Sequence, residues 1–301
     1  MSSRLVLATV VLVAMLIGGN FTALKFALDH TTPVLLAGMR TVVGGTFLLG
    51  FAFIRGERLP KRRVDYQRIL VVSLSITTIS SALLVFGVNR VSAGLASLMS
   101  STMPMFTAVL SFFLLGVSVS FAGRIGLAVG FAGTIVLASP SLGGSSAAVG
   151  VFSLLVSAVA WAYGTVFMKW KDFSAVTPIM LVGIQLYMSA VVLIPAGLLL
   201  EGRGDTEWTL GLFAPLAYAA IPANAVTFSL IATVVQRATP TQAAATAYLV
   251  PVFGVFFGWL IRDERLGLVE LAGGVLIVAG VYLLATGNTR FTEDAGRLSR
   301  S

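Results

Sequence analysis

The chain has 301 residues, 57% hydrophobic and 11% charged, with a mean hydropathy of +0.97, a balance that excludes an ordinary soluble domain. It has no cysteine and one histidine, His30, which removes disulfides, thiolate catalysis and cysteine metal sites and argues against a zinc centre. The net charge of +8 would suit a nucleic-acid binder, but the positions of the charges assign it to membrane orientation, as set out below.

A helix needs about 20 apolar residues to cross ~30 Å of hydrocarbon, and such stretches recur along the chain. The first, 5–28, has only Arg4 in front of it and reads as a span, with no cleavable leader needed. Within it, Gly18 and Gly19 precede Asn20. The flexible pair lets backbone approach a ligand that the amide can bond, although a neighbouring helix would satisfy the same amide. Lys25, near the end of that span, aligns with Lys169 at the end of the sixth, and snorkelling to the headgroups explains both.

The second span, 33–54, carries Arg40 about seven residues, or ~10 Å of helix rise, from its start. A cation inside a span costs at least ~2.5 kcal/mol, so it is expected to face water, a partner or a substrate carboxylate or phosphate. Snorkelling is the alternative. The third span is 69–88, and the fourth, 93–115, contains Pro104 after Ser100, Ser101 and Thr102. Those hydroxyls can satisfy carbonyls freed by the proline or meet a polar substrate. The fifth, 125–138, holds Gly126, Gly130 and Gly133, which suits close helix packing or a dimer seam. A small-residue linker, 139–146, follows.

The sixth span, 150–168, places Trp161 and Tyr163 in its middle, where aromatics can line an apolar pocket. In the seventh, 178–200, Gln185 stands where the second has Arg40. The eighth, 210–235, has Asn224 two residues after Pro222; the ninth, 243–261, has Tyr248 three residues before Pro251. The tenth is 269–286, with Gly273, Gly274 and Gly280, and the polar tail 288–301 reads as disordered.

These spans fall into two copies. Thr32-Pro33 is echoed by Thr177-Pro178 at an offset of 145. Asn89-Arg90 is echoed by Gln236-Arg237, Pro104 by Pro251, Phe106 by Phe253, Gly126 by Gly273 and Gly133 by Gly280, all at 147. The expected fold class is an all-α polytopic membrane protein of ten transmembrane helices, arranged as two inverted five-helix repeats, 1–145 and 146–287, with a cytoplasmic tail, 288–301. Five spans per copy, an odd number, force the second copy to enter the membrane upside down. Inverted repeats characterise secondary transporters, with the site near the midplane where the halves meet. Paired interruptions in matching segments point to that site, so Gly18, Gly19, Pro104 and Pro251 are the hinge or gate candidates. The substrate-binding candidates are Asn20, Arg40, Ser100, Trp161, Tyr163, Gln185, Asn224 and Tyr248.

With a cytoplasmic N-terminus, fourteen Lys and Arg fall inside, among them Arg55, Arg58, Lys61, Arg62, Arg63 and Arg68, and also Arg237, Arg290, Arg297 and Arg300. Only Arg90, Arg203, Arg262 and Arg265 fall outside. That asymmetry satisfies the positive-inside rule and puts both termini in the cytoplasm. The basic run 55–68 is then a topology anchor, with no nucleic acid as partner.

The stretch from Gly18 to Lys25, with Pro33 and Arg40, resembles the opening of an EamA-type member of the drug/metabolite transporter superfamily. Residues 93–98 through Pro104-Met105-Phe106 are similar to that family's fourth span, and 247–253 with Asp263-Glu264-Arg265-Leu266 to its ninth span and following loop. The resemblance covers about 5–287 and implies ten helices, a central cavity and transport of small metabolites, often export of amino acids or related compounds. One departure stands out: where the family has a Gly-Glu-Arg-Leu-like turn after span four, this chain reads Gly116-Val117-Ser118-Val119.

The function expected is therefore a secondary inner-membrane transporter of small amino-acid-like or other polar or amphipathic solutes. It would export by alternating access, as a monomer or weak homodimer in the bilayer, without cofactor or metal. No carboxylate lies well inside a span, so a facilitator is expected in preference to a proton-coupled carrier; His30, Asp29 and Glu270 are the candidates if coupling exists. The rival readings are a membrane-embedded enzyme, a passive channel, and a sensor. The enzyme is disfavoured because nucleophile–base pairs are missing from the spans.

Overall fold

The structure, a computed structural model, describes residues 3–202, 206–227, 230 and 240–287, and all regular structure among them is helical. In chain order the helices are α1 (Ser3–Leu28), α2 (Pro33–Ile54), α3 (Arg63–Arg90), α4 (Ala93–Leu115) and α5 (Phe121–Gly143). The second half supplies α6 (Ser145–Trp170), α7 (Pro178–Leu200), α8 (Leu210–Val226), α9 (Pro240–Arg262) and α10 (Leu268–Gly287). Eight of these are long and apolar enough to cross a membrane; within the described residues α8 and α9 contribute two shorter apolar stretches. Exposed Phe, Leu, Val and Ile side chains run down the outside of the bundle, as expected where hydrocarbon is the solvent.

The packing has a two-fold pattern. α2 lies along α7 and α5 along α10, each helix against its counterpart. α1 packs on α9 and α8, and correspondingly α6 packs on α4 and α3. The α5–α10 seam is the closest: a Cβ on Gly126 would stand 2.6 Å from the Gly280 carbonyl oxygen, and one on Gly133 2.8 Å from that of Gly273. The glycine pattern thus serves an internal contact, where small residues let two helices approach to backbone distance.

Several elements differ from the sequence expectation. α3, α5 and α6 are longer than 69–88, 125–138 and 150–168, because polar and small residues that end an apolar stretch still continue a helix. The linker 139–146 has no open loop: a 3₁₀ turn, Ser139–Gly143, extends α5 and buries Ser141, and α6 starts at Ser145 after the single residue Gly144. α4 is broken at Ser101–Thr102, and Pro104 sits in the first turn of the second piece, where its missing N–H costs nothing. Pro251 lies inside an unbroken α9. The Gln236-Arg237 echo, the predicted end of span eight (apart from Leu230), Arg203 and the tail 288–301 lie outside the described residues.

Two π-helical segments interrupt the bundle: Ser73–Ile79 within α3 and Ile221–Val226 within α8. They occupy matching places at the repeat offset. Each widens a helix by one residue per turn, a distortion that concentrates at functional sites. The polar run Ser73, Ser75, Thr77, Thr78, Ser80, Ser81 is responsible in α3, where Ser75 and Thr77 bond back to Val71 and Ser73 carbonyls at 2.7 and 2.8 Å. In α8, Pro222 removes an amide from the ladder.

Candidate functional site

A cavity of about 420 Å³ lies at the centre of the bundle, between the halves. Many of its lining positions come in repeat-related pairs: Ile17 with Trp161, Arg40 with Gln185, Thr41 with Leu186. The two π-helical segments contribute Ile76 with Ala223, Thr77 with Asn224 and Ser80 with Thr227; α4 and α9 contribute Ser100 with Ala247 and Met103 with Val250. Equivalent positions from both halves meet around one space, yet their chemistry differs: the first half supplies a cation and hydroxyls where the second has an amide, Leu186 and Ala247.

Arg40 is buried, 8% exposed, one-third of the way down α2. Its Nη2 donates to Ser81 Oγ at 2.5 Å, which steadies the guanidinium against α3. Arg40 Nε, Asn20 Oδ1 and Gln185 Oε1 are buried atoms with no hydrogen-bond partner among the described residues. A donor and two acceptors left in this condition each cost ~1–3 kcal/mol until something bonds them. Gln185 is held from behind, since Ser73 Oγ donates to its backbone carbonyl at 2.6 Å and Thr77 Oγ1 reaches the same oxygen at 3.4 Å.

The cavity brings together Asn20, Arg40, Ser100, Trp161, Gln185, Asn224 and Pro104. Tyr163 is outside it: 40% exposed, on the outer face of α6 and stacked on Phe167. Tyr248 and Pro251 line a separate apolar groove between α4, α9 and α10, with Tyr248 edge-on to Tyr282. Gly18 and Gly19 face neighbouring helices: a Cβ on Gly18 would lie 2.6 Å from Phe253 Cβ, and one on Gly19 2.7 Å from the Tyr218 hydroxyl. The sequence reading missed Thr41, Thr77, Ser80, Ser81 and Thr227. The dense hydroxyl run 73–81 in an otherwise apolar span was the available signal.

Polar contacts fasten the bundle ends. Arg262 donates to Asp29 at 2.6 Å, and His30 Nδ1 lies 2.9 Å from Glu207. Glu201, after α7, accepts from Val34 and Leu35 N–H groups at 3.0 and 3.1 Å and so caps α2. In a similar way Glu57, after α2, accepts from the Thr177 hydroxyl at the start of α7. Glu264, after α9, accepts from Ala93 and Gly94 N–H groups at 2.7 and 3.3 Å and caps α4. Its mate is Val117, a buried apolar residue without that capacity. Glu270 caps its own helix through Gly267 N–H at 2.6 Å. In the α6–α7 loop, the Ser174 amide and hydroxyl hold the exposed Asp172 carboxyl below its usual range. The described residues include no cluster of metal-ligating side chains.

The sequence profile of the EamA-like transporter family matches this chain twice, over residues 4–139 and 148–286. The "Uncharacterized transporter YvbV" of Bacillus subtilis (strain 168) is 33% identical, covering 92% of each chain. The "Probable amino-acid metabolite efflux pump" of Escherichia coli (strain K12) is 31% identical, over 90% of this chain and 92% of that one. The "Uncharacterized inner membrane transporter YedA" of the same strain is 27% identical, over 91% and 88%. A solved crystal structure superposes with a TM-score of 0.65 at 17% identity, covering 98% of this chain and 97% of that one, a likeness of fold alone.

Proposed function

The chain belongs to the EamA-like transporter family, and from that premise we propose that it moves small polar or amphipathic metabolites, amino-acid-like compounds among them, across the inner membrane by alternating access. The halves 1–145 and 146–287 are inverted relative to each other and rock about the central cavity, with both termini in the cytoplasm. Export is the favoured direction, in keeping with the efflux named for one relative. Transport runs down the cargo's own electrochemical gradient without proton coupling.

The observation that carries this reading is the cavity itself. It is lined by repeat-equivalent positions of both halves and contains unpartnered polar atoms of Arg40, Asn20 and Gln185. A carboxylate or phosphate on Arg40 Nε, with donors of the cargo on the two amide oxygens, satisfies all three. Trp161, Ile17, Met103 and Val250 offer the apolar surface that an amphipathic cargo needs.

A thermal-shift screen of metabolites tests it, because a ligand at 100 times its Kd stabilises by ~2.7 kcal/mol. Carboxylate-bearing compounds are expected to raise the melting temperature, and Arg40→Gln to abolish that response while leaving the unliganded protein folded. An unchanged response in Arg40→Gln would remove Arg40 from the site.

A further inference from the structure

The charge inside the cavity carries an inference that rests on the proposed transport and sharpens it. Arg40 is the only charged side chain among the described residues that line the cavity, and a guanidinium keeps its proton at any physiological pH. No acidic residue occurs anywhere in 208–262, so α8 and α9 have none to contribute. The acids that flank the bundle are engaged at its ends: Asp29 with Arg262, Glu57 with Thr177, Glu201 with the start of α2 and Glu264 with that of α4. Among the described residues the cavity therefore presents a fixed charge of +1 with no counter-charge of its own.

We propose that the cargo is a net monovalent organic anion and that the membrane potential drives it out of the cell. A site enclosed by apolar helices accepts cargo best when the summed charge is zero, since an uncompensated buried ion keeps its desolvation penalty. A monoanion cancels Arg40. A zwitterion neutralises the guanidinium with its carboxylate but brings an ammonium that finds only amide and hydroxyl oxygens, leaving the loaded site at +1; a cation leaves it at +2. The orphaned oxygens of Asn20 and Gln185 ask for neutral N–H or O–H donors on the same molecule.

Direction follows from the same count. The loaded carrier reorients as a neutral complex, and the empty carrier returns carrying the charge of Arg40. One negative charge leaves per cycle. With the interior negative, each 100 mV is worth ~2.3 kcal/mol for one charge, or about a 50-fold outward gradient. Export then has a driving force without a proton relay.

The experiment uses the full chain in proteoliposomes, with potassium and valinomycin setting the potential. Two matched series serve as probes: N-acetyl-leucine, leucine and leucinamide, with net charges of −1, 0 and +1, and the same three derivatives of phenylalanine. The N-acetyl compounds are expected to enter at least ten times faster than the zwitterions. At 100 mV interior-positive they are expected to accumulate towards 50-fold, and Arg40→Gln to abolish this where Arg40→Lys retains part of it. Zwitterions that move as fast as the anions, or anion accumulation indifferent to potential, would leave transport standing and overturn the charge assignment. If no probe moves above protein-free liposomes, the transport reading of this cavity falls as well. Should Arg40→Gln fail to fold, the dependence of the native protein on probe charge and on potential decides alone.

Discussion

Gly18 illustrates how little room a single residue has in this bundle. It sits two residues before the cavity-lining Asn20, where α1 crosses α9, and an added Cβ would stand 2.6 Å from Phe253 Cβ and 2.9 Å from the Val250 carbonyl oxygen. Backbone on the far side cannot yield, so Gly18→Leu must push the helices apart. Overpacking of this kind costs ~1–3 kcal/mol, and thermal unfolding of the purified variant is expected to show a lower midpoint; an unchanged midpoint would mean that α1 and α9 are not in close contact. The sequence marked Gly18 as special, through its place beside Gly19 and Asn20, but not its partner. Glycine reports that something comes near and is silent on what, when the neighbour lies more than 230 residues further along the chain. Arg40 was legible for the opposite reason. Its cost inside a span is a property of the residue itself, independent of any neighbour, whereas its anchor Ser81 depended on how α3 lies against α2.

At the scale of the element, hydropathy located the helices well but not their internal distortions. Both π-helical segments escaped the sequence reading, because side-chain hydroxyls and one proline compete locally with the backbone ladder in ways that window averages erase. The helix ends were more informative after the fact. Glu264 caps α4 from the end of α9, so it ties the first half to the second at one end of the bundle, and Val117 supplies no counterpart at the other. Losing a cap costs ~1 kcal/mol, about a fivefold change in a two-state population. In the rocking scheme, Glu264→Gln weakens the closure at its own end. A cysteine placed at Ser100 in the cavity of this cysteine-free chain reads the change directly. An impermeant maleimide applied from the Glu264 side is expected to label it about five times faster in Glu264→Gln. Val117→Glu, which adds the missing carboxylate, is expected to slow labelling from the opposite side. Equal rates in all three proteins would show that these caps stabilise helices without biasing the gate.

For the whole molecule, the duplication was readable because matching prolines, glycines and an asparagine–arginine echo keep one register across most of the chain. Which helices touch was not readable, since the α2–α7 and α5–α10 pairings follow from symmetry between the halves, and symmetry cannot be seen in either half alone. The orientation of the halves has the largest mechanistic consequence, because only an inverted pair gives two exchangeable states that open to opposite sides. Two repeat-equivalent loops decide it: 55–62, between α2 and α3, and 201–209, between α7 and α8. Arg58 and Trp208 are exposed positions within them. In single-cysteine variants Arg58→Cys and Trp208→Cys, an impermeant thiol reagent added outside intact cells is expected to label position 208 and to reach position 58 only after the membrane is opened. The basic composition of the first loop demands that side for it, and the odd number of crossings then sends the second loop to the other. Labelling of both from the same side would make the halves parallel. A central cavity between them would then have no symmetry-related way to open to the opposite face.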